Sequence, residues 1–234
     1  MRPFLTLSFL LCSAILHAQY VWTPANTINY NRVANAIISP DGKHVAYTVS
    51  TPEMEGERSE FVSQIWLAAT DGSFNRKYTF GEKSSESPQF SPDGKWLSFV
   101  SSRNSEGENQ LFIISLNGGE AEQITKAKGS IGTYKWSPDG MRIAFLMPEP
   151  LSDKEEKDKK EKRDMVVLDN YKNAHVYTVS LNEGDEKNLR NLRMLTQGDI
   201  HVTALSWSPD SKSIVFSHQV NASADLWPTT DISI

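Results

Sequence analysis

A four-residue motif, Ser-Pro-Asp-Gly, recurs along the chain and constrains its fold more than any other feature. Three copies are intact, and a fourth has Ser211 in place of the glycine. The copies are Ser39, Pro40, Asp41 and Gly42; Ser91, Pro92, Asp93 and Gly94; Ser137, Pro138, Asp139 and Gly140; and Ser208, Pro209 and Asp210. An apolar residue precedes each copy and an alternating apolar segment follows it, so the motif marks an internal repeat.

The motif has the composition of a type I turn between two antiparallel strands, with Ser first, Pro second and Gly fourth. The aspartates could also be general acids or metal ligands. Each lies in its own repeat, however, and nothing in the spacing brings two together, so we interpret all four as turn residues. In the last copy Ser211 occupies a position that favours glycine. We therefore expect strain or a different turn there, and the least regular of the four hairpins.

The interval between the motifs predicts sheet-sized units. In the second repeat, four short apolar segments lie between turn signals, at 88–91, 96–101, 110–116 and 120–125. Both phases of the apolar alternation are filled, which indicates sheets covered on both faces. Four strands in a repeat of roughly 45 to 50 residues predict a β-propeller blade. A β-sandwich is the alternative, but it does not predict a recurring blade-length period.

The predicted fold class is therefore all-β: an incomplete β-propeller of about four four-stranded antiparallel blades, the last one unfinished. Residues 1–18 are assigned to a signal peptide, 19–32 to a lead-in segment and 33–234 to the partial propeller. The predicted blades are 33–80, 87–125, 131–196 and 202–234. We expect Asp225-Leu226-Trp227 to form a strand of the fourth blade, and the chain to be truncated relative to a complete propeller.

The third predicted blade carries a charged insertion, residues 148–165. Its mixed-charge run is expected to be a solvated loop, because such a sequence cannot bury apolar surface. Glu155 and Glu156 within it could bind the amino group of a substrate. Flanking lysines already neutralise this pair, so we favour the loop interpretation. In the lead-in, Thr23-Pro24 predicts the start of one or two helical turns.

The first residues have the features of a secretory signal. Arg2 precedes an apolar run, residues 4–16, that ends near Ala18, and this run is shorter than a bilayer span. We therefore expect export, with no membrane attachment after cleavage. The single cysteine, Cys12, would be removed with the signal, which leaves no disulfide, cysteine metal site or thiol nucleophile.

Charge and side-chain spacing exclude several functions. The net charge of −5 argues against a nucleic-acid partner. No metal site or cofactor is predicted, because the remaining histidines are scattered singly: His44, His175, His201 and His218. Four tryptophans recur beside the turns or within strands, so we assign them to packing between sheets rather than to a carbohydrate platform: Trp66, Trp96, Trp136 and Trp207.

Several segments together resemble a known family. They are Thr23-Pro24, the repeat Ser39 to Tyr47, the charged insertion before His175-Val-Tyr, and Leu195-Thr196 ahead of Trp207. The chain resembles, over essentially its whole length, the N-terminal propeller of secreted bacterial prolyl oligopeptidase family serine peptidases, in particular acylaminoacyl-peptidase and dipeptidyl-aminopeptidase-like members. TolB-type periplasmic propellers carry similar Ser-Pro-Asp-Gly hairpins.

The resemblance implies a propeller that restricts access to a C-terminal α/β-hydrolase domain, so that short peptides enter and large folded proteins do not. In that domain the nucleophile lies in Gly-x-Ser-x-Gly. The nearest match in this chain, Gly129-Ser-Ile-Gly132, has Lys128 in place of the first glycine. We therefore assign no catalytic residue to this chain, and peptide substrates would meet the hydrolase domain outside it.

Three hypotheses remain open. The chain is the propeller portion of an exported serine peptidase, a TolB-like periplasmic module that binds a partner protein, or a secreted propeller that binds a small ligand or glycan at its central channel.

Overall fold

The computed structural model describes residues 23–54, 56, 58–104, 107–161, 171–182 and 191–234. The predicted signal peptide and the first residues of the lead-in lie outside these ranges. The chain divides into two compact units, Met1–Tyr30 and Asn31–Ile234. In the described part of the first unit, helix α1 (Pro24–Ile28) begins after Thr23, as the Thr-Pro pair predicts.

The second unit contains four antiparallel sheets. The first is formed by β1 (Arg32–Ile38), β2 (His44–Glu53), β3 (Glu60–Ala69) and β4 (Asn75–Lys77). The second is formed by β5 (Ser85–Phe90), β6 (Trp96–Ser101), β7 (Gln110–Ser115) and β8 (Glu122–Gln123). The third is formed by β9 (Tyr134–Trp136), β10 (Arg142–Pro148), β11 (Ala174–Ser180) and β12 (Leu192–Met194). The fourth is formed by β13 (His201–Trp207), β14 (Ile214–Gln219) and β15 (Asp231–Ser233).

Within every sheet the strands neighbour one another in chain order. Each sheet is thus an antiparallel meander in which consecutive strands pair with each other. Three of the four sheets contain four strands. The fold is an incomplete β-propeller with four blades, and we refer to the sheets below as blades 1 to 4. The predicted fold class is confirmed.

Three apolar cores hold successive blades together. Side chains of blade 1 face blade 2 in the first core, which includes Ala46, Ile65, Leu67, Leu97, Phe99 and Phe112. The second core, between blades 2 and 3, includes Val100, Leu111, Ile113, Ile143, Phe145 and Tyr177. The third, between blades 3 and 4, includes Ala144, Leu146, Val176, Val202, Leu205 and Ile214. Because side chains alternate along a strand, adjacent residues such as Phe99 and Val100 enter different cores.

An aromatic pair recurs on the second and third strands of the blades. Phe99 stacks on Phe112 with 5.6 Å between ring centroids, and Phe145 stacks on Tyr177 at 5.7 Å. Both pairs lie on the blade face that contacts the preceding blade. The cross-strand pairs therefore bury large aromatic area where two blades meet.

The charged insertion differs from the prediction. Its described part contains an eight-residue helix, α2 (Asp153–Lys160), rather than a loop. The helix begins with a capping box, in which the Glu155 carboxylate accepts a hydrogen bond from the Ser152 backbone N–H at 2.7 Å. Residues 162–165 of the predicted insertion lie outside the described ranges. Among the described helices, none combines the length and the apolar character needed to cross a membrane.

The fourth blade also differs from the prediction. Residues Ala224–Thr229 form a 3₁₀-helix rather than a strand, and β15 supplies the third strand instead. Pro228 lies inside this segment and lacks the backbone N–H that a strand ladder requires. Ile232 of β15 pairs with Ser217 of β14.

The cores between blades generate a stability prediction. Phe112→Ala should lower the free energy of unfolding by about 3 to 5 kcal/mol, because the ring is fully buried between blades 1 and 2. Val215→Ala is the matched control, since that side chain is 37% exposed and should cost less than about 1 kcal/mol. Urea denaturation of the two variants measures the difference. Equal losses would contradict the assignment of the core.

Candidate functional site

The repeated motif builds the same hydrogen-bond network in every blade. In the first copy the Ser39 hydroxyl donates to Asp41 Oδ1 at 2.6 Å and accepts from the His44 backbone N–H at 2.9 Å. Asp41 Oδ1 also accepts from the Lys43 N–H at 3.1 Å. The other three motifs repeat these bonds, at Ser91 and Asp93, Ser137 and Asp139, and Ser208 and Asp210.

This network determines the protonation of the four aspartates. The serine hydroxyl, followed by backbone N–H groups, favours the charged carboxylate and lowers the pKa below its ordinary value at Asp41, Asp93, Asp139 and Asp210. A general acid needs a proton to donate at the working pH, so these carboxylates are poorly suited to that task. Their geometry supports the turn interpretation.

Successive turns also touch one another. A Cβ atom placed on Gly94 would lie 3.8 Å from Cδ of Pro40, and one on Gly140 would lie 3.7 Å from Cδ of Pro92. Both glycines have positive φ, +68° and +70°. In the second and third turns the glycine therefore allows the positive φ and packs beside the proline of the preceding turn.

The fourth turn is as regular as the others, which contradicts our expectation. In this turn the Ser211 N–H donates to the Ser208 carbonyl at 3.0 Å. The Gly42 N–H makes the same bond to the Ser39 carbonyl in the first turn, at 2.9 Å. Ser211 does adopt a positive φ of +61°, as expected. Its hydroxyl accepts a hydrogen bond from the Asp139 N–H at 3.0 Å, and its carbonyl accepts one from the Arg142 guanidinium. These bonds to blade 3 offset the strain at a non-glycine residue.

A cavity of about 580 Å³ lies between blades 3 and 4. Its lining includes three cationic side chains, Arg142, Arg193 and Lys212, and an apolar wall that contains Trp207 and Phe216. Arg142 lies 4.9 Å from the Trp207 ring centroid, which orients its guanidinium. Among the described lining residues there is no acidic side chain. The arrangement suits an anionic group attached to an apolar body.

Two of the histidines lie at one junction, although the sequence shows them as isolated. His201 Nδ1 accepts a hydrogen bond from the Ala174 N–H at 3.0 Å. His175, fully buried, lies between Thr196 Oγ1 at 3.3 Å and Glu149 Oε1 at 3.4 Å. The proximity was missed because the residues belong to different blades. Within the described ranges, no three His, Cys, Asp or Glu side chains could together hold a metal ion.

One serine–histidine pair occurs on the fourth blade. His218 Nε2 lies 3.0 Å from Ser233 Oγ, across the β14–β15 pairing. Asp231 of β15 pairs with His218 in the same ladder, but its carboxylate Oδ1 accepts a hydrogen bond from the Ile232 N–H at 2.7 Å. A nucleophilic serine needs an orienting partner for the histidine and donors for an oxyanion. We interpret this pair as a cross-strand hydrogen bond.

Two of the four tryptophans bond to the preceding blade, whereas Trp96 is 37% exposed, which contradicts its assignment to packing between sheets. The Trp136 indole donates to Ser98 Oγ at 2.7 Å, and the Trp207 indole donates to the Lys135 carbonyl at 3.1 Å, each reaching the preceding blade.

Glu155 of the insertion lies 3.0 Å from Lys172 Nζ. Hydrogen bonds from Ser152, together with Lys172, lower the pKa of Glu155 to about 2. Its carboxylate is therefore engaged within the insertion.

Four meander sheets, packed face to face and each with the same turn between its first two strands, define a β-propeller domain. The chain belongs to the TolB-type β-propeller family PD40, whose sequence model, described as the TolB beta propeller domain, matches residues 23–159. Its relatives include peptidases. It is 32% identical over 211 residues to the uncharacterized peptidase YuxL of Bacillus subtilis, which covers 84% of this chain and 31% of that protein. It is 31% identical over 123 residues to dipeptidyl-peptidase 5 of Porphyromonas endodontalis, covering 53% and 17%.

A solved structure has the same fold. The acylaminoacyl peptidase of Pyrococcus horikoshii superposes with a TM-score of 0.55 at 15% identity, over 81% of this chain and 28% of that one. The chain thus spans about a third or less of the length of these relatives. Its propeller is related to peptidase propellers and to TolB.

The fourth turn generates a prediction about Ser211. Ser211→Ala should destabilise the protein by about 1 kcal/mol, because the Asp139 N–H loses its acceptor while the strained φ remains. Ser211→Gly loses the same bond but removes the strain, so it should be more stable than the alanine variant by about 1 kcal/mol. Thermal unfolding of both variants measures the difference. An alanine variant as stable as the glycine variant would show that the turn is unstrained.

Proposed function

We propose that this chain is the propeller portion of an exported serine peptidase that cleaves short peptides. In this proposal an α/β-hydrolase domain outside these residues supplies the serine nucleophile, and the propeller limits which substrates reach it. The observation that carries the proposal is the similarity to the peptidase YuxL, which extends over 84% of this chain but only 31% of that protein.

The arrangement of the blades supports a restricting role. Blade-to-blade contacts combine buried cores with indole hydrogen bonds and contacts between successive turns. A domain held together in this way is a rigid support, and rigid supports can exclude substrates by size. The propeller would act by geometry, while bond cleavage would take place at another domain.

Export is the second part of the proposal. Its support is the sequence of the first 18 residues, with Arg2 followed by a short apolar run. Removal of these residues would leave residues 19–234 without cysteine. Such a chain has no thiol to oxidise outside the cytoplasm.

A TolB-like role is the second candidate, and the family match favours it. In this case the propeller binds a partner protein and no hydrolase domain is attached. The two candidates differ in a single observable property: whether the protein that contains this chain reacts with a serine-directed covalent probe.

The experiment compares the protein encoded by the full reading frame with residues 19–234 alone. The full protein should hydrolyse aminoacyl and dipeptidyl chromogenic substrates and should be labelled by a fluorophosphonate at a serine beyond residue 234. Residues 19–234 should give neither signal, because they lack a hydrolase domain. Absence of labelling in the full protein would overturn the peptidase proposal and favour the TolB-like role.

Two controls sharpen the comparison. Ser233→Ala removes the hydroxyl that contacts His218, so activity lost in this variant would locate the chemistry in the propeller and contradict the proposal. Phe112→Ala loosens the contact between blades 1 and 2. If the propeller restricts access, this variant should cleave unfolded protein substrates faster relative to short peptides than the wild type does.

A further inference from the structure

A buried glutamine–threonine pair recurs in the first two blades. In blade 1 the Thr79 hydroxyl donates to Gln64 Oε1 at 2.8 Å and accepts from the Ile65 N–H at 2.8 Å. In blade 2 Thr125 makes the equivalent bonds to Gln110 at 3.0 Å and to the Leu111 N–H at 2.9 Å. The pair ties the third strand of the blade to the chain that follows the fourth strand. Neither side chain titrates.

Blade 3 has a histidine at the glutamine position. Thr196 Oγ1 accepts from the Val176 N–H at 2.9 Å, as its equivalents do in blades 1 and 2. Thr196 Oγ1 also lies 3.3 Å from His175 Nδ1, and His175 Nε2 lies 3.4 Å from Glu149 Oε1. The third blade therefore replaces an uncharged pair with a buried, titratable one.

A second histidine, His201 of blade 4, contacts the backbone of Ala174, the residue before His175. His201 Nδ1 accepts the hydrogen bond from the Ala174 N–H, which joins blade 4 to blade 3. A protonated imidazole carries hydrogen on both nitrogens and has no acceptor, so protonation of His201 must break this bond. Burial, together with the positive charge of protonated His175, lowers the pKa of His201.

The histidine pair, His175 and His201, lies at the base of the insertion. The Glu149 N–H donates to the Asn173 carbonyl at 2.9 Å, which holds the two ends of the insertion together. Asn173 Oδ1 accepts from the Ala222 N–H of blade 4 at 3.1 Å. Asn173 therefore takes part both in the contact between blades 3 and 4 and in the contact with the start of the insertion.

We propose that the histidine pair is an acid-sensitive contact: protonation of His201 breaks its bond to Ala174 and releases blade 4 from the base of the insertion. Glu149, just after β10, lies 3.4 Å from His175 Nε2, and burial together with Glu149 raises the pKa of the Tyr177 hydroxyl of β11; His175 is the charged group that acts on His201. Protonated His175 would repel a charge on His201. This proposal stands independently of the peptidase assignment.

The direction of the pH effect follows from linkage. The pKa of His201 is lower in the folded protein than its ordinary value near 6.5, so the folded state binds fewer protons than the opened state. The contact is therefore fully stabilised above about pH 6.5 and weakens as the pH falls below that value.

Amide hydrogen exchange of Ala174, corrected for the intrinsic rate at each pH, tests the proposal. Its protection factor should fall roughly threefold to tenfold between about pH 7.5 and about pH 5 in the wild type. His201→Asn keeps an oxygen acceptor near the Nδ1 position but does not titrate, so protection should remain constant. His44→Asn is the control for a histidine in blade 1 and should leave the wild-type response unchanged.

His175→Gln separates the two histidines. It restores the uncharged pair of blades 1 and 2, so the variant should fold, and the response at Ala174 should persist because His201 is still present. Constant protection in the wild type, or an undiminished loss in His201→Asn, would overturn the proposal.

Discussion

Blades 2 and 3 bury apolar side chains on both faces, and this constraint governs the rest of the structure. Phe99 enters the core with blade 1, whereas the next residue, Val100, enters the core with blade 3. A single sheet of this kind would leave one or both faces in water, so its stability depends on its neighbours. The blades are consequently stabilised in series, and each buried aromatic pair contributes to a contact between two blades rather than within one.

Polar contacts determine how successive blades align. Apolar burial has little directional preference, whereas the indole of Trp136 must reach Ser98 and the N–H of Asp139 must reach Ser211. The turn motif provides the fixed points for this alignment, because its serine and aspartate saturate each other and the neighbouring backbone. Strain at Ser211 is tolerated because the same residue forms two bonds to blade 3. This rigid alignment is the property that the proposed substrate restriction requires.

The junction between blades 3 and 4 differs from the other two in its chemistry. It contains the cationic cavity and the His201–Ala174 bond, and blade 3 carries His175 where blades 1 and 2 have a glutamine bonded to a threonine. In a propeller, specialised functions can be located at one junction without loss of the fold, since each junction has its own core. Such a location would allow a change in pH to act on blade 4 while blades 1 to 3 remain packed.

The sequence by itself determined the blades and their turns, because these depend on local signals: proline and glycine at fixed turn positions and apolar side chains at every second residue. It also placed Trp136 and Trp207 between sheets. Only the tertiary structure decided that His201 bonds to Ala174, that Ser211 bonds to Asp139, and that the segment around Pro228 leaves the strand pattern. The first two contacts join residues on different blades. The third feature depends on which segment of the chain pairs with β14 at the edge of blade 4. A repeat pattern gives the same prediction for each copy, so it cannot specify the contacts that make one junction different from the next.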